Sequence, residues 1–181
     1  MNSISDTPSP SGGGLFRGVY SKIDAVTKVI ESLLFIICAI AIAVAMVLTA
    51  VDVFLRYGFS SPLGWSFDFV MLYLMPAAYY LAFSQGMRKG AHLSVDFFAD
   101  NFPKPLMRVV YPVLMLVAAA LVAVIGWLIA DEAMAGFLAG ETLLGSVRWP
   151  TWPTGAIISG SFLVLSVRLA LIAWRVAFLE D

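Results

Sequence analysis

Charge is what this sequence has least of. Of its 181 residues, 11 are Lys or Arg and 12 are Asp or Glu, or 13% of the chain, where a soluble domain carries about 25%. With 61% apolar residues and a mean hydropathy of +0.91, a globule of this size has too little polar surface to cover itself. A soluble enzyme, a disordered chain and a nucleic-acid binder are excluded. The net charge of −1 provides no field for polyanions. A single cysteine, Cys38, rules out an internal disulfide and any multi-thiolate metal site; in its apolar run it reads as a small filler. A single histidine, His92, rules out a bis-histidine haem within the chain, and with Asp96 and Asp100 it makes too poor a ligand set for a metal. No nucleophile–base pair, phosphate loop or paired carboxylate lies within the apolar runs, so neither cofactor nor catalysis is expected.

What is present is four long uncharged runs: Leu33–Val51, Phe69–Met87, Val109–Ala130 and Trp149–Val167. Each approaches the roughly 20 residues a helix needs to cross the hydrocarbon core. In lipid the backbone must satisfy its own hydrogen bonds, so the runs predict four transmembrane helices, an all-α membrane protein. The fourth continues past Arg168 to Trp174, with Arg168 and Arg175 expected to extend their guanidinium groups to the interface. The prolines Pro150 and Pro153 open that span, as a first helical turn tolerates. Residues 1–14 read as a disordered tail ahead of a single domain, 15–181.

Basic residues set the expected orientation. Arg17, Lys22 and Lys28 precede span one, Arg88, Lys89, Lys104 and Arg108 lie between spans two and three, and Arg168 and Arg175 end the chain. Those nine share one side, against Arg56 and Arg148 on the other, which predicts cytoplasmic N- and C-termini. Two amphipathic interfacial helices are expected there. Before span one, Phe16, Val19, Tyr20, Ile23, Val26 and Ile30 recur at helical spacing opposite Arg17, Lys22, Asp24, Lys28 and Glu31, as in a helix on the membrane surface or an extension of the span. After span two, Leu93, Phe97, Phe98 and Phe102 face away from Asp96 and Asp100.

Several residues stand out singly. Asp52 and Arg56, four apart at the end of span one, are spaced to pair or to meet a partner subunit. Trp65 and Asp68 suit an interfacial helix N-terminus. Pro76 removes one backbone hydrogen bond and frees the carbonyl of Leu72. Stripes of small residues, Ala41-Ala45-Thr49 and Ala119-Ala123-Gly126-Ala130, predict close helix packing.

Three segments carry a family resemblance: Asp52-Val53-Phe54-Leu55-Arg56-Tyr57, Pro62-Leu63-Gly64-Trp65-Ser66-Phe67-Asp68, and Gly86-Met87-Arg88-Lys89-Gly90-Ala91-His92-Leu93-Ser94-Val95-Asp96. Together they resemble the small membrane subunit of TRAP transporters, the DctQ type, with the Trp-Pro entrance to span four also similar. The sequence departs from that family where two acidic residues often follow the Trp; here Phe67 precedes the single Asp68. The resemblance implies a bacterial inner-membrane subunit of a tripartite ATP-independent periplasmic transporter. Its implied partners are a large sodium-coupled permease subunit, which it braces, and a periplasmic binding protein delivering an organic-acid-type solute. Asp52, Arg56, Trp65, Asp68, Arg88, His92 and Asp96 are then candidate interface or structural residues. The alternative from another class is a redox membrane anchor for haem or quinone, which the lone His92 disfavours.

Overall fold

A computed structural model describes residues 12–88, 104–144 and 147–178. Four of its helical segments are long and apolar enough to cross a membrane: Tyr20–Gly58, Ser66–Gly86, Val110–Ala139 and Trp152–Ala177.

The first, α1 (Gly12–Gly58), is one unbroken helix of 47 residues. It rises about 70 Å, more than twice the hydrocarbon thickness. Its sequence explains how it is held. Tyr20, Asp24, Thr27, Glu31, Leu34, Cys38, Ala41, Ala45, Leu48, Asp52 and Leu55 turn inward at alternating steps of four and three, while every other side chain from Ser21 to Gly58 is exposed. A spacing averaging 3.5 residues keeps one narrow seam facing its neighbours along the whole helix. The segment ahead of the apolar run is therefore an extension of span one. It is also turned opposite to the soluble pattern. Asp24, Thr27 and Glu31 face inward, whereas Ile23, Val26 and Ile30 are at least 40% exposed.

The second span is broken into α2 (Ser66–Phe69), a π-helical turn (Val70–Leu74), α3 (Met75–Tyr80) and α4 (Phe83–Arg88). Pro76 is the cause. It has no N–H to give Leu72, and just upstream the Met75 N–H reaches five residues back to Val70. The amphipathic helix expected over Leu93–Phe102 lies outside the described residues.

Spans three and four form an antiparallel hairpin, α5 (Lys104–Ala139) and α6 (Trp152–Phe178). Helix α5 runs nine residues beyond Ala130, so Asp131 and Glu132 lie on its last turns and not in the loop that their charge suggests. It ends at Gly140, whose φ of +65° only glycine adopts freely. The Gly140 and Glu141 N–H groups fold back onto the Phe137 and Gly136 carbonyls, closing the helix end. A two-stranded ribbon, β1 (Thr142–Leu143) with β2 (Trp149–Pro150), turns the chain into α6. Pro150 is thus in the ribbon, and Pro153 alone sits in the first turn of the helix.

The hairpin is closely packed because glycine sits where the helices cross. A Cβ on Gly155 would lie 2.7 Å from Ala133 Cβ, and one on Gly126 3.2 Å from Phe162 Cβ. Met115, Ala119, Leu165, Leu169 and Ala173 form its core. A second core joins Cys38 and Ala41 of α1 to Ala77 and Leu81 of the second span, where the Cys38 thiol donates to the Ala78 carbonyl at 3.2 Å. Of the small-residue stripes, Ala41, Ala119 and Gly126 are buried, but Thr49 is exposed. Helix α6 is the central element: 39% of its most apolar window is buried, against 11% for α1.

Candidate functional site: a buried charged clasp and a polar opposite end

Arg168 sits seventeen residues into α6 and is only 4% exposed. The guanidinium does not reach out to an interface as its sequence neighbourhood suggests. It forks onto Glu31, with Nε donating to Oε1 and Nη2 to Oε2, both at 2.6 Å, while Nη1 donates to Asp24 Oδ1 at 2.7 Å. Ser84 Oγ on α4 donates to Glu31 Oε1 at 2.5 Å, and Lys28 Nζ pairs with Asp24 Oδ2 at 2.6 Å. Glu31 is fully buried. A carboxylate in that position is tolerable only with its lone pairs filled, and a planar guanidinium fills two of them at once. The clasp therefore ties α1, α4 and α6 at one level of the bundle. The pairing of Arg168 with Asp24, Glu31 and Ser84 does not follow from any one segment of the sequence, and Ser84 stands out nowhere in it. The signal was there: one arginine inside an otherwise apolar run requires an acid from another helix.

At the other end the ties are mostly neutral. Asp52 lies twenty-one residues, or about 31 Å, along α1 from Glu31, close to the thickness of a hydrocarbon core. Its Oδ1 accepts the Leu63 N–H at 2.8 Å and its Oδ2 accepts Arg56 Nη2 at 2.6 Å, so the carboxylate closes the first loop as well as pairing along the helix. Thr154 Oγ1 donates to the Leu72 carbonyl at 2.6 Å, the group that Pro76 leaves without its helical donor. Tyr73 Oη donates to the Pro150 carbonyl at 2.6 Å. Trp65, Phe69, Tyr73 and Trp149 stack edge to face or tilted, with ring centroids 5.4–6.5 Å apart. The buried Trp149 indole N–H has no partner among the described residues. Beside them a crevice of about 300 Å³ is lined by Glu132, Gly136, Glu141, Thr151 and Thr154 among others.

The candidate residues thus separate. Asp52 and Arg56 form one pair; Trp65 joins the aromatic cluster, and Asp68 lies in the first turn of α2. Arg88 is the last residue of α4, at the opposite end of span two from Trp65. His92 and Asp96 lie outside the described residues. Among the described residues no three His, Cys, Asp or Glu side chains gather as a metal site would require. What the arrangement does chemically is hold helices at fixed depth by paired charge and hydrogen bonds.

One comparison with known proteins gives a match. A family model for tripartite ATP-independent periplasmic transporters, DctQ component, matches residues 45–179. No curated protein and no solved structure matches the chain. The matched region takes in the last fourteen residues of α1, the broken second span and the whole α5–α6 hairpin. The chain belongs to the DctQ family, and is a multi-pass, all-helical membrane component of a tripartite transporter.

Proposed function

We propose that this chain braces the large, sodium-coupled permease subunit of a bacterial inner-membrane transporter, while a periplasmic binding protein delivers an organic-acid-type solute. The supporting observation is how little of α1 is used internally: a single seam is buried and all its other faces are exposed. In lipid, such a surface serves packing against another membrane protein or the acyl chains. The charges deepest in the bundle, Glu31 and Arg168, are committed to each other, which suits a scaffold. Family membership favours this reading over the redox-anchor alternative.

The proposal places the clasp end in the cytoplasm and the Asp52 end in the periplasm, following the basic-residue bias. In a Cys38→Ala background, Lys22→Cys should react with an impermeant maleimide only after the membrane is opened, and Leu144→Cys should react from the periplasm. The chain, expressed with its neighbouring membrane and binding-protein genes, should co-purify with a much larger hydrophobic subunit. Arg56→Ala or Asp68→Ala should lower complex yield or solute uptake. Unchanged yield and uptake in both variants would remove these residues from the interface. Solute transport by this chain alone in liposomes would overturn the bracing role.

A further inference from the structure

Between α1 and the second span the exposed surface folds into a groove. Ile42, Met46, Thr49 and Val53 form one wall, with Val70 and Met75 on the other. The Thr49 hydroxyl turns back onto the Ala45 carbonyl at 2.7 Å, so that wall offers no free donor. The groove's depth in the membrane follows from the sequence. Ile42 stands eleven residues from Glu31 and ten from Asp52, midway between the two polar levels. From Ile42 to Val53 the groove runs about 16 Å, close to half of a hydrocarbon core of about 30 Å. It spans one leaflet.

The residues that line the groove are apolar or neutral, and the nearest cation on the same face of α1 stands one step past them. The wall positions 42, 46, 49 and 53 advance by four, three and four, and the next step of three on the same face is Arg56. Arg56 donates from Nη2 to Asp52, and its side chain stays 55% exposed. The Asp52 carboxylate is turned inward, with one oxygen on the Leu63 N–H and the other on Arg56. Tyr57, 84% exposed, follows at the same level, as interfacial aromatics do.

We propose that this groove is a phospholipid site, taking one acyl chain along α1 and seating the phosphate on Arg56. Guanidinium and phosphate are complementary in charge and geometry. A basic side chain on the groove's own face favours a lipid phosphate over a partner's apolar helix as the occupant. The inference is independent of which solute or permease subunit the chain serves.

Native mass spectrometry of the full chain in mild detergent tests it, with phosphatidylglycerol and a diacylglycerol of the same chains as probes. The wild type should retain one phosphatidylglycerol and not the diacylglycerol. Arg56→Gln should lower the retained fraction about tenfold. Ala50→Phe, at an exposed groove position, should abolish retention while leaving thermal unfolding unchanged. Equal retention of both lipids, or retention unaltered by either variant, would overturn the site. A photoreactive residue at Met46 supplies the second measurement, in membranes containing the whole transporter. A lipid-sized adduct is expected; a protein-sized adduct would assign the groove to a partner's helix and overturn the proposal.

Discussion

At one end of the bundle, α1 is held to α6 by a guanidinium forked onto a fully buried carboxylate. At the other, the second span is held to the entrance of α6 by two hydroxyl-to-carbonyl hydrogen bonds among stacked aromatic rings. Both closures join helices distant in sequence, but they fail differently. A neutral hydrogen bond contributes about 0.5–1.5 kcal/mol, and its loss leaves a modestly unhappy acceptor. Breaking a buried ion pair on one side leaves a naked charge and costs about 3–5 kcal/mol, although the intact pair adds little over an apolar replacement. The clasp thus acts more as a constraint on which packing is allowed than as a source of stability. It penalises any arrangement in which α1 slides or rotates against α6.

The largest expected effect tests that asymmetry. Arg168→Met leaves the Glu31 carboxylate without its guanidinium inside the bundle and should destabilise by about 3–5 kcal/mol. The readout is folded yield and thermal unfolding in detergent. Adding Glu31→Leu to Arg168→Met should recover most of the loss, because the desolvation penalty goes with the charge. If the double variant is as unstable as the single, the pair contributes attraction rather than constraint, and the comparison between the two ends collapses.

Next comes the hairpin, which depends on shape rather than polarity. Gly155→Val puts a branched side chain where a Cβ alone lies 2.7 Å from Ala133 Cβ. Overpacking of this kind costs about 1–3 kcal/mol. Gly160, facing open space on the same helix, is the control, and Gly160→Ala should be neutral or slightly stabilising.

How far the sequence anticipates this structure depends on which physics is asked. Four spans followed from run length alone, and the vacant Leu72 carbonyl followed from Pro76, because both are local consequences of backbone chemistry. The inward face of residues 20–31 did not. Ile23, Val26 and Ile30 mark the apolar face, and for a helix in lipid that face is the outer one, with Asp24 and Glu31 inside. Within its own segment Arg168 has only snorkelling for relief; its acids lie 137 and 144 residues away. Asp131 and Glu132 follow directly on the third uncharged run, so charge ends that run at Ala130, though the stop signal in the backbone is Gly140.

At the neutral end, the two hydroxyls rank by the alternatives left to their acceptors. Thr154→Val removes the donor to Leu72. Since Pro76 cannot replace it, the cost should approach the 1–3 kcal/mol of an unsatisfied buried acceptor. Pro76→Ala restores an N–H four residues on. In that background the same Thr154→Val change should cost less, and the difference in a double-mutant cycle measures how far the proline created the need for the threonine. Additive effects would mean that Thr154 acts by packing alone.

The smallest effect is expected at Tyr73. Tyr73→Phe keeps the ring in the cluster with Phe69 and Trp149 and removes only the hydroxyl bonded to the Pro150 carbonyl. Pro150 lies in a short ribbon at half-buried depth, where water can take over the accepting role. The loss should be about 1 kcal/mol or less. Tyr73→Ala, by contrast, removes ring contacts worth about 0.5–1.5 kcal/mol each beyond the area they bury. Thermal unfolding of the two variants side by side separates hydroxyl from ring. Equal losses would make the hydrogen bond the tie at this end, and the aromatic cluster a bystander to it.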